Sequence, residues 1–320
     1  MKFREIGGAK YGDLTLGTVQ LGMPYGLVND SGQPSRIQAT EIVGAALQYG
    51  VTAFDTARAY GDSEAVLGTA LSGIDRSELL VITKLCLAGL AKTASKSDVR
   101  ALVDASLSSS CAALRHDRID VLLLHGWEQR HLCQGAVWER LLQLRAEGRI
   151  HSLGASVYEP HEALAALRDP EIHHLQIPIN ILDWRWKASG VEEAVADRAD
   201  VAVYARSALL QGVLVHPASR WPQIGGFQAS GYVHQLEHLG KQLGRESTKD
   251  LCFAYVRSLP WIASVIVGCE TLPQLRENVR LFSKPPLAVS EREQLESGLP
   301  RAPEVLLNPS RWKQEVARAS

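Results

Sequence analysis

The sequence has no cysteine framework. Its five cysteines, Cys86, Cys111, Cys133, Cys252 and Cys269, are scattered, odd in number and free of CxxC spacing. Neither disulfides nor a zinc site is expected, and the thiols read as the reduced thiols of a cytoplasmic protein. Net charge is nearly absent as well. With 34 basic against 35 acidic residues the balance is −1, which gives no electrostatic reason to expect nucleic acid or an anionic membrane as partner. The opening MKFREIGGAKYGDL lacks the apolar core of a signal peptide, and no stretch reaches the length of a membrane span. No Pro- or Ser-rich linker divides the chain, so residues 1–320 read as one domain.

What is present is a regular alternation. Short β-branched or leucine-rich runs occur at Leu14–Leu16, Val51–Phe54, Leu79–Thr83, Val121–Leu124, Ile150–Gly154, Leu175–Ile177, Val201–Tyr204 and Ser264–Val267. Between them lie segments with helical apolar spacing, such as Ala39-Val43-Ala46-Leu47. Ser35, Ser97 and Thr271 stand as N-caps, and Gly50 and Gly148 as helix stops. Strands alternating with helices predict parallel βαβ units, either as a doubly wound open sheet or as a closed (β/α)8 barrel. The strand count, the 320-residue length and the lack of a GxGxxG turn after an early strand favour the α/β barrel. Its core is expected over about 14–288, with a C-terminal extension over about 289–320 anchored by Trp312. The longest irregular stretch, Gln211–Gly231, follows the seventh strand and reads as a lid.

In such a barrel, chemistry sits at the C-terminal strand ends. The second strand runs into Asp55, the third into Lys84, the fourth into His125 and the fifth into Ser156; Asn180 follows the sixth, and Arg206-Ser207 end the seventh. Taken singly, an Asp here is a cap, a Lys snorkels to water and a His fills a core. Asp, Lys and His on successive strands, with Tyr60 one loop away, point to a site instead. A buried Asp55 needs a partner, and Lys84 on the next strand supplies it. An ammonium beside Tyr60 predicts a phenol pKa lowered from about 10, with Asp55 keeping the lysine charged. A neighbouring imidazole can hydrogen-bond to a substrate oxygen. Such a site moves a proton to or from an oxygen whose carbon changes oxidation state, and a cofactor must carry the hydride.

These residues resemble a known family. "FDTARAYGDSE", "VITK" and "IDVLLLHG" are similar to segments of the aldo-keto reductases, NAD(P)-dependent (β/α)8 barrels that interconvert carbonyls and alcohols. The resemblance runs from about Leu14 to Asn278 and implies that Asp55, Tyr60, Lys84 and His125 are the catalytic four. "LGTVQLG" implies that Gly17, Thr18 and Val19 lie beside the nicotinamide, with Asp55 close by. "GASVY" implies that Ser156, with Gln176, holds the carboxamide, although Val157 replaces the usual Asn. "YARSALLQG" implies Arg206, Ser207, Leu209 and Gln211 under the ring and pyrophosphate, with Arg206 in place of a stacking aromatic. "VIVGCETLPQLREN" implies Gly268, Gln274, Glu277 and Asn278 at the adenosine end.

Gly268 and Gln274 stand where many members carry a Lys and an Arg for the 2′-phosphate, and Glu270 is acidic; NADP is expected ahead of NAD, through small polar groups and backbone amides. The expected partner is a small carbonyl or alcohol (an aldehyde, a ketone or an aldose) held by Tyr60, His125, Trp127 and Trp184, with Trp186 nearby and the Trp221 loop closing over it. Two alternatives remain: a non-catalytic nicotinamide-binding regulatory subunit of the same fold, and a Schiff-base lyase with Lys84 as nucleophile.

Overall fold

The computed structural model describes residues 2–312 apart from 92, 225 and 226. The chain opens with an antiparallel hairpin, β1 (Phe3–Ile6) and β2 (Ala9–Gly12), that the run pattern gave no sign of. The apolar runs then become β3 (Leu14–Gly17), β4 (Ala53–Asp55), β5 (Leu80–Lys84), β6 (Ile119–Leu124), β7 (Ile150–Ser156), β8 (His174–Pro178), β9 (Ala202–Arg206) and β10 (Ser264–Gly268). These eight pair in parallel in chain order, and β10 returns to pair with β3 and close the barrel. The (β/α)8 architecture is therefore the observed one.

Several strands extend further toward their C-terminal ends than hydrophobicity indicates. Asp55, Lys84, Ser156, Arg206 and Gly268 are the last ladder residues of their strands, where the apolar runs stop one or two positions earlier. Register explains it: Gly17 pairs with Asp55, Lys84 with Leu123 and Pro178 with Arg206, so each polar residue is held by the backbone of a neighbouring strand. Each of these side chains is thus mounted on the sheet rather than on a loop.

The helices between the strands bury one face each and are closed by their own ends. Ser35 and Thr271 form capping boxes with Gln38 and Gln274. Ser95, not Ser97, caps the helix Lys96–Leu114, because Asp98 lies three residues after Ser95 and returns its hydrogen bond. Gly50 and Gly148 follow their helices in the left-handed region, at φ 79° and 74°.

The hairpin covers the N-terminal mouth, where Tyr11 packs edge-on against His174 and Tyr204. Arg4 pins it by donating to the carbonyls of Arg257, Leu259 and Pro260. At the other terminus, the helices Val289–Gly298 and Glu304–Leu307 pack on the barrel, and Trp312 is buried with its indole N–H on the Leu306 carbonyl at 3.1 Å. Residues 313–320 of the expected extension lie outside the described residues. Among the described residues no helix is long and apolar enough to cross a membrane.

Candidate active site

Asp55 and Lys84 meet across adjacent strand ends, both almost completely buried. Lys84 Nζ donates to Asp55 Oδ1 at 2.7 Å, to Oδ2 at 2.9 Å and to the Thr56 carbonyl at 2.9 Å. An ammonium has three N–H groups, so all are committed. Gln176 on β8 adds a fourth bond, Nε2 to Asp55 Oδ1 at 2.7 Å. The lyase alternative loses its footing here, since a nucleophilic lysine needs a free, neutral amine.

Tyr60 lies above this pair. Lys84 Nζ is 4.8 Å from the centroid of its ring, and His125 meets that ring edge-to-face at 5.7 Å. Asp55 on β4, Lys84 on β5 and His125 just after β6 thus converge with the tyrosine of the β4 loop. The expected tuning of Tyr60 does not hold. Its phenol is pushed above the ordinary value of 10, first by burial and then by the Asp55 carboxylate, while Arg206 pulls the other way. Lys84 has no N–H left for the phenol, and its charge is largely cancelled by Asp55. Burial also lowers the Lys84 ammonium from its usual value, opposed by Asp55. His125 is pushed down to about 4 by burial and by the charges of Lys84 and Arg206. At neutral pH the pair facing the cavity is therefore a protonated phenol and a neutral imidazole.

The loop that carries Tyr60 is held by hydroxyls. Ser63 Oγ lies 2.6 Å from Thr18 Oγ1 and 2.8 Å from Thr56 Oγ1, and donates to the Thr18 carbonyl at 2.9 Å. Glu64, fully buried, accepts from Thr83 Oγ1 at 2.7 Å and pairs with Arg58 at 3.0 Å. Glycine permits the closest approach: a Cβ on Gly22 would fall 2.0 Å from the Tyr60 carbonyl, and one on Gly61 (φ 55°) 2.3 Å from the Gly22 carbonyl. Thr18 is part of this scaffold. Its side chain is buried against Asp55 and Ser63 and does not line the cavity, contrary to the expected nicotinamide contact.

A cavity of about 780 Å³ runs from Tyr60 and His125 across the barrel mouth to the end of β10. Gly17, Val19, Asp55, Ser156, Gln176 and Arg206 line its inner end. Ser207, Leu209 and Gln211 line its middle, and Gly268, Gln274, Glu277 and Asn278 its outer end. Apart from Thr18 and Lys84, every sequence-named catalytic or cofactor position borders this one space. Ser207, Leu210 and Gln211 hold φ of 62°, 48° and 55°, strain of the kind that accumulates at ligand-binding loops.

Sequence reasoning missed Gln20 and Lys249 here. Among the described residues Gln20 and the expected Asn278 each carry a buried side-chain oxygen with no partner, and Lys249, from a helix outside the named motifs, reaches the outer end and bonds Glu277 Oε2 at 2.5 Å. Buried oxygens without donors can accept from a bound ligand or water. An elongated polar cavity with such acceptors along it fits a dinucleotide. Gln274 is less available than its position implied, because its side chain is spent on the amides of Glu270 and Thr271.

The aromatic expectations fail more broadly. Trp127 packs against His131; Trp184 donates to the Ala302 carbonyl at 3.0 Å and stacks under Arg301; Trp186 is core and bonds Asp183. None lines the cavity, whose aromatic residues are Tyr25, Tyr60, Tyr158 and Phe253. Trp221 does not close over it either: the indole is buried, stacked on Phe227 and bonded to the His216 carbonyl. The lid segment is shorter than expected, since a helix starts at Ala229 and takes in Gly231; 225 and 226 lie outside the described residues. The segment is tied across the cavity mouth by Arg220 to Asp30 at 2.6 Å and Gln211 to Tyr25 at 3.3 Å.

Comparison with known proteins agrees with this fold. The chain is 27% identical over 72% of its length, and 78% of the relative's, to an NADH-specific methylglyoxal reductase of Escherichia coli. It is 25% identical over 93% of its length, and 96% of the relative's, to an uncharacterized oxidoreductase of Bacillus subtilis. An aldo-keto reductase structure from Bacillus halodurans superposes with a TM-score of 0.76 over 94% of this chain and 97% of that one, a likeness of fold at 22% identity. The model of the aldo/keto reductase family matches residues 13–298, which include every strand of the barrel. The chain therefore belongs to the aldo/keto reductase family of oxidoreductases.

Proposed function

We propose that the protein reduces a small aldehyde or ketone with a nicotinamide cofactor, Tyr60 acting as the proton donor. The observation that carries this is the convergence of Tyr60, His125 and the Lys84–Asp55 pair at one end of the cavity of about 780 Å³. A reduced nicotinamide bound there would supply the hydride to the carbonyl carbon. The neutral His125 imidazole donates one hydrogen bond to the carbonyl oxygen and orients it, while the Tyr60 phenol gives that oxygen its proton. The phenolate left behind has a high proton affinity and recovers its proton from water. Ser156 and Gln176 are the proposed carboxamide holders, with Gln176 fixed by Asp55.

At the adenosine end, Lys249 is paired with Glu277 and Glu270 stands nearby, a balance that resists a doubly charged 2′-phosphate. This balance favours NADH over the expected NADP, and NADH is the cofactor in the name of the Escherichia coli relative. Methylglyoxal, from the same name, is the first substrate to try.

The test is Tyr60→Phe, which keeps the ring and removes the donor oxygen. Carbonyl reduction should fall by about 10²–10⁴-fold, with cofactor affinity within a few-fold of the parent. Parent-like rates in the variant would refute the proton-donor role. A parent protein that binds cofactor but turns over no carbonyl would support the regulatory-subunit reading instead.

A further inference from the structure

Arg206 carries a charge that no carboxylate answers. It ends β9 and lines the cavity beside Tyr60, His125, Ser156 and Gln176. Its guanidinium lies 4.2 Å from the centroid of the Tyr158 ring and donates one bond, Nη2 to the Val157 carbonyl at 3.1 Å. Among the described residues it enters no ion pair. The other charges at this end cancel, since Lys84 is neutralised by Asp55. The acidic residues of the cavity, Glu270 and Glu277, stand at its outer end, and Asp30 at the mouth is paired with Arg220. The inner end therefore keeps one fixed positive charge on a group pinned by a carbonyl and a stacked ring.

We propose that Arg206 makes the site select the reduced over the oxidised cofactor. This rests on reading the cavity as a nicotinamide site. The nicotinamide ring is neutral when reduced and carries a positive charge when oxidised. A guanidinium stacked against Tyr158 cannot move away from that charge without giving up its bond to Val157, so the oxidised ring is repelled and the reduced one is not. Two like charges a few ångströms apart in a partly desolvated site repel strongly enough to change an affinity by roughly tenfold or more, less at high salt. A tenfold preference raises the two-electron potential of the bound couple by about 30 mV.

The experiment measures binding rather than turnover. Dissociation constants for NADH, NAD, NADPH and NADP are determined by calorimetry for the parent, Arg206→Gln and Arg206→Lys, with a thermal melt to verify folding. The parent should hold the reduced form at least about tenfold more tightly. Arg206→Gln should lose most of that ratio, Arg206→Lys should keep it, and added salt should shrink it in the parent. Equal affinity for the two forms in the parent, or an unchanged ratio in a folded Arg206→Gln, would overturn the proposal. Failure of the parent to bind any of the four would instead remove the nicotinamide reading itself, and this inference with it.

Discussion

Lys84→Met is the most informative perturbation of the fold. Methionine matches the length and volume of the lysine stem, so it leaves little cavity. What it removes is the set of three hydrogen bonds from Nζ to Asp55 Oδ1, Asp55 Oδ2 and the Thr56 carbonyl, in a site where Lys84 is 1% and Asp55 5% exposed. Breaking a buried pair from one side costs about 3–5 kcal/mol, because the remaining charge is stranded. Asp55 keeps one partner, Gln176. With that partner retained, the expected loss is about 3–4 kcal/mol. Adding Asp55→Asn removes the stranded charge, and the double variant should be about 2 kcal/mol more stable than Lys84→Met alone. Urea unfolding followed by circular dichroism, with an unchanged denaturant slope, gives each value. A loss below about 1 kcal/mol for Lys84→Met, or no recovery in the double variant, would show that the pair does not carry the strand ends in this way.

Two further predictions concern the site itself. With His125 held down at about 4 and the Tyr60 phenol protonated, kcat/KM for reduction should stay flat from about pH 8 to pH 5; a limb near pH 6.5 that His125→Asn abolishes would refute the neutral imidazole. The same depressed value means that the folded protein binds fewer protons than the unfolded chain below pH 6.5. His125 should thus cost about 2 kcal/mol of stability by pH 5, a loss that His125→Asn removes and that urea midpoints at pH 7 and 5 would detect. At the outer end, Glu277→Gln should release Lys249 from its ion pair and improve binding of NADPH relative to NADH by about tenfold; an unchanged ratio by fluorescence titration would mean that the 2′-phosphate does not approach Lys249.

Much of this was legible in the residues because a barrel converts order along the chain into position around a ring. Once the apolar runs alternate with helices, Asp55, Lys84 and His125 must emerge side by side at one rim, whatever the loops do. The expected cofactor positions came instead from the family resemblance, and apart from Thr18 they border one cavity. What failed depended on side-chain direction and on contacts distant in sequence. Trp127, Trp184, Trp186 and Trp221 sit close to the rim along the chain, yet each turns into packing that only the folded neighbours supply: His131, the Ala302 carbonyl, Asp183 and Phe227. Lys249 escaped notice because it arrives from the helix Thr248–Ser258, which carries no motif. The orphan oxygens of Gln20 and Asn278 have no sequence signature, since satisfaction is a property of the whole surrounding.

The tuning of Tyr60 failed for a different reason, which bears on the direction of the chemistry. Residue types alone suggested that a nearby ammonium must acidify a nearby phenol. In the folded site the ammonium is spent: Asp55 takes two of its N–H groups and Thr56 the third, leaving a nearly neutral pair beneath the ring. Burial then dominates and raises the phenol's proton affinity, with Asp55 adding to it. A phenol of that kind is a poor base but a dependable reservoir of one proton, held until a carbonyl oxygen gains electron density from hydride and becomes the stronger base. Deprotonating an alcohol would require the phenolate to exist first, which this surround disfavours. In the proposed site the Lys84–Asp55 pair would place Tyr60, and the uncancelled charge of Arg206 would weigh against an oxidised ring. The protonated phenol suits donation to a carbonyl oxygen better than deprotonation of an alcohol.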